Sequence, residues 1–201
     1  MLLHGIAPYK LLLGTMTPII KNNSSNNSSN YRTLTLGTSL AKLFDLVIIN
    51  NQKSIFNTSE LQFGFKKKSS TTMCAFMVQE TISHYSANGS NVNVLMLDAS
   101  KAFDRVHFVT LFKKLINKGM CPLIVRLLLN MYINQKLQVK WNNCMSDTFE
   151  VSNGVRQGGI MSPLLFGVYI DELLHNLKDN GVGCYIGDYY CGAFGYADDI
   201  I

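Results

Sequence analysis

The chain has 201 residues, 47% hydrophobic and 15% charged, which suits one globular domain with a sizeable core. The net charge of +5 and a pI near 8.9 permit a polyanionic partner without demonstrating one. Cys74, Cys121, Cys144, Cys184 and Cys191 are odd in number and form no Cys-x-x-Cys pair, which favours reduced thiols in a cytosolic or nuclear setting over a disulfide or zinc framework. No stretch approaches the ~20 apolar residues of a membrane span.

At the N-terminus, His4, Pro8 and Lys10 interrupt Leu2-Leu3 and Leu11-Leu12-Leu13, so no signal-peptide h-region forms. Asn22 to Asn30 is an Asn/Ser tract and predicts a solvated loop. Lys66-Lys67-Lys68, followed by Ser69, Ser70 and Thr71, reads either as a solvated face or as a contact to a nucleic-acid backbone. Val92, Val94, Leu95, Met96 and Leu97 predict a strand buried on both faces, ending at Asp98. Asp98 is then either the cap of the next helix or a functional carboxylate at a strand end. Phe108, Leu111, Phe112, Leu115 and Ile116 recur at helical spacing, and Gly119 is the expected stop.

Pro122 opens a second helix with Ile124, Leu127, Leu128 and Met131 on one face. Leu137, Val139 and Trp141 alternate as a strand, Asn142-Asn143 turns, and Met145, Phe149 and Val151 suggest the return. Gly154 to Gly159 is a glycine-containing loop whose backbone can approach a ligand closely. Ser162 as cap and Pro163 as first residue start a helix with Leu165, Val168, Tyr169 and Leu173 as its buried stripe. Val182–Ile186 and Tyr190–Ala197 read as strands around a Gly187-Asp188 turn. Asp198-Asp199 then sits between apolar flanks, Tyr196-Ala197 and Ile200-Ile201. Such a pair is either a plain turn or, where strand ends are buried, two carboxylates awaiting a hard divalent cation. Helices alternating with a mostly antiparallel sheet predict an α+β fold.

Three motifs carry a family resemblance. Asp98 with Lys101-Ala102-Phe103-Asp104, Gly154-Val155-Arg156-Gln157-Gly158 with Ser162-Pro163, and Tyr196-Ala197-Asp198-Asp199 resemble, in order, the palm motifs of reverse transcriptases. The non-LTR, LINE-type retrotransposon branch is the nearest in pattern. Upstream, Asn30-Tyr31-Arg32, Leu40-Ala41-Lys42-Leu43-Phe44 and Gln62-Phe63-Gly64-Phe65 are similar to that branch's finger motifs. The resemblance implies fingers over about 18–90 and a ferredoxin-like palm over about 91–201 of a right-hand polymerase, with the Asn/Ser tract joining two finger strands.

It also implies RNA-directed DNA synthesis from dNTPs on an RNA template and a DNA primer. Two Mg²⁺ ions, or Mn²⁺, would stabilise the attacking and leaving oxygens. Asp98 and Asp198 match the family's metal ligands, and Asp199 assists. Arg32 matches the arginine that grips the triphosphate, a task suited to the guanidinium fork. Phe103 matches the aromatic gate that excludes a 2′-hydroxyl, which argues against an RNA-dependent RNA polymerase. Gln157 and Gly158 match the loop at the template base and incoming nucleotide. Lys66, Lys67 and Lys68 are weaker nucleic-acid candidates, Lys21 is a weaker candidate for the triphosphate, and Asp104 needs no more than a helix dipole.

Ile201 follows the aspartate pair by two residues, so the return strand and a thumb are not expected within this sequence. The expectation is a partial reverse transcriptase domain, intracellular, with little processive synthesis. The alternative is a catalytically inactive retrotransposon remnant that binds nucleic acid weakly.

Overall fold

The computed structural model describes residues 1–21 and 30–201; the Asn/Ser tract lies outside the described residues except at Asn30. The chain forms two compact units, residues 1–55 with 103–165 and residues 56–102 with 166–201. Among the described residues, no helix is long and apolar enough to cross a membrane.

The first unit is built on a sheet. α1 (Tyr9–Leu12) leads into β1 (Leu13–Ile20), which pairs antiparallel with β2 (Tyr31–Gly37) from Gly14↔Gly37 to Ile20↔Tyr31. The other edge of β1 pairs parallel with β4 (Lys136–Trp141), and β5 (Cys144–Met145) and β6 (Phe149–Glu150) return antiparallel on β4. The expected return strand is thus two short pieces.

α2 (Ser39–Asn51), α4 (Phe108–Asn117) and α5 (Pro122–Ile133) accompany this sheet. Thr38 caps α2 by accepting from the Ala41 N–H. α4 buries Phe108, Leu111, Phe112 and Leu115, as its periodicity predicts. Its end closes with the Met120 N–H donating to the Leu115 carbonyl at 3.0 Å and Gly119 at φ +85°. Ile116 departs from the expectation: it is 52% exposed, because the buried stripe ends one residue earlier. From α5, Leu127 and Met131 pack with Ala7, Leu12 and Phe44. Tyr132 meets Phe108 and Phe112 edge-on at 5.5 and 5.8 Å.

In the second unit, α3 (Thr71–Ala87) is capped by Ser70, whose side chain accepts from the Met73 N–H. α6 (Ser162–Asp179) supplies its C-terminal part. There Leu174 is fully buried while Leu173 is 41% exposed, so the stripe runs one residue out of the expected phase. Leu174, Tyr190, Ala193 and Ile200 make one cluster; Cys74, Cys191 and Phe194 make another. β7 (Tyr185–Ile186) and β8 (Tyr189–Tyr190) form a hairpin, and β3 (Leu97–Asp98), β10 (Asp199–Ile200) and β9 (Gly195–Tyr196) form a three-stranded sheet in that spatial order. β3, β7, β8 and β9 are shorter than the sequence suggests, and β10 supplies against β9 a two-residue return strand that was not expected, because Asp199 itself begins it.

The segment before Asp98 is the largest departure. Only Leu97 and Asp98 are strand, and Val94, Leu95, Met96 and Leu97 are between 45% and 74% exposed rather than buried on both faces. Among the described residues β3 pairs on one edge alone, with β10, and Leu95 and Leu97 line an open apolar cavity of about 280 Å³. A strand without a second neighbour or a covering layer stays open however apolar it is.

Candidate active site

The sequence-selected residues divide between the two units. Asp98, Asp198 and Asp199 belong to the second; Arg32, Phe103, Gln157 and Gly158 belong to the first.

In the second unit the β9–β10 hairpin turns through Ala197 and Asp198, closed by Tyr196↔Asp199 and Gly195↔Ile200. Ala197 has φ +58°, the left-handed backbone that the first central residue of a primed hairpin turn requires. β10 then lies against β3, with Asp199 opposite Asp98 and Ile200 opposite Leu97. Directly opposite residues on antiparallel strands share a face, their Cβ atoms ~4.5–5.5 Å apart. Asp198 occupies the adjoining turn position and is half-buried, while Asp98 and Asp199 are exposed. Partial desolvation, then the charges of Asp198 and Asp98, push the Asp199 carboxyl above the usual range.

Among the described residues, none of these three carboxylates is ion-paired with a lysine or arginine. Nor does any group of three or more His, Cys, Asp or Glu side chains close into a metal cage. Carboxylate oxygens are the ligand type a hard divalent cation takes. An all-oxygen set with unneutralised, mutually repelling charge fits such an ion. Beside it, Thr71, Cys74, Ala75, Met96, Leu97, Asp98, Tyr196 and Asp199 line an open cavity of about 410 Å³.

In the first unit the loop before α6 lies on β2. The Thr35 N–H donates to the Gln157 carbonyl at 2.6 Å. Gly158 has φ +99°, and a Cβ there would come within 2.7 Å of Leu34 Cδ1 and 2.9 Å of the Thr35 carbonyl, so only glycine fits. The loop is also stitched to the segment carrying Phe103: the Val155 N–H donates to the Phe103 carbonyl and the Gly154 N–H to that of Val106, both at 2.8 Å. Phe103 itself is half-buried. Arg32 is exposed on the same strand, β2, in register with Ile19.

Arg156 is one residue before Gln157 and had no separate part in the sequence reading. Its Nε donates to Gln135 Oε1 at 3.0 Å and an Nη to the Leu12 carbonyl at 3.3 Å. Its guanidinium also faces Asp45, whose carboxyl burial pushes from 3.8 up to about 6, against the pull of Arg156 and of the Met161 backbone. Burial, then the Asp45 charge, raises the Tyr132 phenol, which bonds Ser162. Asp45 is the one acidic residue of α2, flanked by Phe44 and Leu46. Gln62, part of the finger-like motif, is a buried amide bonded to Ala197.

The lysines separate. Lys66 Nζ donates to the carbonyls of Thr58 and Ser59, whereas Lys67 and Lys68 are exposed. The cysteines are free thiols.

The family described as "Reverse transcriptase (RNA-dependent DNA polymerase)" matches residues 19–201. The Drosophila melanogaster protein named as a probable RNA-directed DNA polymerase from transposon X-element is 30% identical over 172 residues, covering 83% of this chain and 19% of its own length. The retrovirus-related Pol polyprotein from type-2 retrotransposable element R2DM of the same organism is 24% identical, covering 98% of this chain and 18% of its own length. A Popillia japonica Pol polyprotein from a type-1 retrotransposable element R2 is 25% identical over 98% of this chain and 28% of its own length. The chain therefore spans well under a third of each of these relatives. A solved structure of apo telomerase from Candida tropicalis superposes with a TM-score of 0.60 at 11% identity, covering 97% of this chain and 44% of that one, a likeness of fold.

Proposed function

This chain belongs to the reverse transcriptase family, and on that premise we propose that it is the polymerising domain of a retrotransposon's RNA-directed DNA polymerase, adding deoxynucleotides to a DNA primer on an RNA template. Enzymes of this family generally use divalent metal ions. Fingers over about 18–90 and palm over about 91–201 are the corresponding assignment. The observation that carries the reading is the hairpin register that puts Asp199 across from Asp98 with Asp198 in the adjoining turn.

Asp98, Asp198 and Asp199 would hold two Mg²⁺ ions, or Mn²⁺. When bound, that pair lowers the charge cost on the attacking 3′-oxygen and the leaving pyrophosphate. Asp198 and Asp199 sit on a short, paired hairpin and Asp98 on the strand beside it, so these ligands would need little reorganisation as charge moves. Arg32 offers a bidentate donor fork to the triphosphate. Phe103 fills the space beneath the sugar and disfavours a 2′-hydroxyl. Gln157 and Gly158 present amide and backbone edges to the template base and incoming nucleotide. Lys67 and Lys68 add sequence-independent attraction for the template backbone, with Lys66 serving its own loop.

The test is extension of a DNA primer on an RNA template with Mg²⁺ or Mn²⁺, beside Mn²⁺ titration of the chain. Deoxynucleotide incorporation that Asp198→Ala abolishes is the expected result. If the chain neither incorporates a deoxynucleotide nor binds Mn²⁺ more tightly than Asp198→Ala, the reading fails in favour of an inactive remnant with weak nucleic-acid binding.

A further inference from the structure

Ala197 presents a backbone problem. Its φ of +58° brings Cβ close to the following carbonyl, a conformation glycine takes freely and alanine resists. The residue is also buried, so water does not satisfy its N–H and carbonyl. Gln62, 1% exposed, meets both groups. Its Oε1 accepts from the Ala197 N–H at 2.9 Å, and its Nε2 donates to the Ala197 carbonyl at 3.2 Å. The same Oε1 accepts from the Gly64 N–H at 2.8 Å, which fixes the amide's orientation.

The backbone around Gln62 is fastened as well. The Gly195 N–H donates to the Leu61 carbonyl at 2.8 Å, and the Phe63 N–H donates to the Gly195 carbonyl at 2.7 Å. Gln62 thus bridges in parallel to Gly195, the first residue of β9. At Gly64 a Cβ would overlap the Ala197 nitrogen, so a side chain there would force the turn away. One side chain and one glycine therefore set where the turn bearing Asp198 lies.

We propose that Gln62 is a positioning residue that fixes the Ala197 turn and thereby holds Asp198 and Asp199 in the geometry that binds divalent metal, with Gly64 giving the turn room. The proposal rests on the reading of those aspartates as metal ligands. A glutamate at 62 could accept both N–H groups yet has no donor for the Ala197 carbonyl. A leucine fills similar space and leaves two buried N–H groups and a carbonyl without their partner.

The experiment uses the 201-residue chain as wild type, Gln62→Leu, Gln62→Glu and Asp198→Ala, with amide hydrogen exchange and Mn²⁺ titration. In the wild type the Ala197 amide should exchange as slowly as the hairpin amides of Phe194 and Ile201. Gln62→Leu should speed exchange at Ala197 and Gly64 by about 10-fold or more while the α4 amides stay unchanged. It should also weaken Mn²⁺ by about 10–100-fold, the usual cost of removing an outer-shell partner. Gln62→Glu should keep protection at both amides, and it decides the question with the wild type if Gln62→Leu does not unfold cooperatively.

An unprotected Ala197 amide in the wild type overturns the proposal. So does Gln62→Leu with unchanged Mn²⁺ affinity, whether or not its exchange is faster. Wild type binding Mn²⁺ no better than Asp198→Ala removes the metal reading instead, and the exchange data still show whether Gln62 fixes the turn.

Discussion

Asp199 of β10 stands opposite Asp98 of β3 in the antiparallel register, one residue after Asp198 in the turn. Like charges directly opposite on a sheet repel, by ~0.2–1 kcal/mol at such pair positions and less where solvent screens them. Asp199→Asn should therefore raise the thermal midpoint slightly in metal-free buffer. The same change should reduce the rise in midpoint that millimolar Mg²⁺ produces in the wild type, because ligand binding to the folded state alone stabilises it. Differential scanning with and without Mg²⁺ checks both signs. A larger Mg²⁺ effect in Asp199→Asn than in the wild type would sink the assignment.

Phe103→Val should relax sugar discrimination, raising incorporation of ribonucleotides relative to deoxynucleotides. The Phe103 carbonyl holds the Val155 N–H through backbone alone, so the loop bond survives the change. Competition between dNTP and rNTP in primer extension is the measurement. An unchanged ratio would reduce Phe103 to a packing residue.

Asp45 gives a pH dependence with a definite sign. Its carboxyl is raised from 3.8 to about 6 in the folded chain, chiefly by burial. Between those values the folded state keeps a proton that the unfolded state has released, so stability falls as pH rises through the window. The cost is absent below about pH 4 and reaches ~3 kcal/mol above pH 6, an order of magnitude from ~1.4 kcal/mol per unit. Asp45→Asn should then be more stable than the wild type at pH 7 and closer to it at pH 4. Urea unfolding from pH 4 to pH 8 checks this; a difference that does not vary with pH would refute it.

Leu115 and Ile116 are adjacent on α4 and equal by sequence pattern, yet Leu115 is fully buried and Ile116 is 52% exposed. Leu115→Ala should cost ~2–5 kcal/mol, the range for a buried leucine leaving a cavity. Ile116→Ala should stay within about 0.5 kcal/mol. Equal losses by denaturant titration would mean that the helix faces are rotated from those described.

How much was legible in the sequence follows from how far apart the cooperating residues lie. The core of α4 repeats every three or four residues, and Gly119 stands where that repeat stops, so neighbours along the chain suffice to place the helix. Family motifs gave Asp98, Gln157, Gly158 and Asp198-Asp199 as a set, and the match over residues 19–201 bears the family out. α2 and α3 were not legible as helices: α3 turns Met73, Phe76 and Met77 outward and buries Cys74 and Thr81, which leaves no clean apolar stripe to read.

Helical periodicity and the order of the motifs by themselves pointed to the fold class and the family. Only tertiary structure decided that Asp199 rather than Asp198 faces Asp98, that Leu95 and Met96 lie open, and that Asp45 is half-buried beside Arg156. It also decided that Gln62 bonds Ala197, 135 residues away. Periodicity records what a residue's near neighbours require of it. Strand register and the burial of a polar side chain depend instead on partners supplied from elsewhere in the chain, and these appear only once the chain has closed on itself.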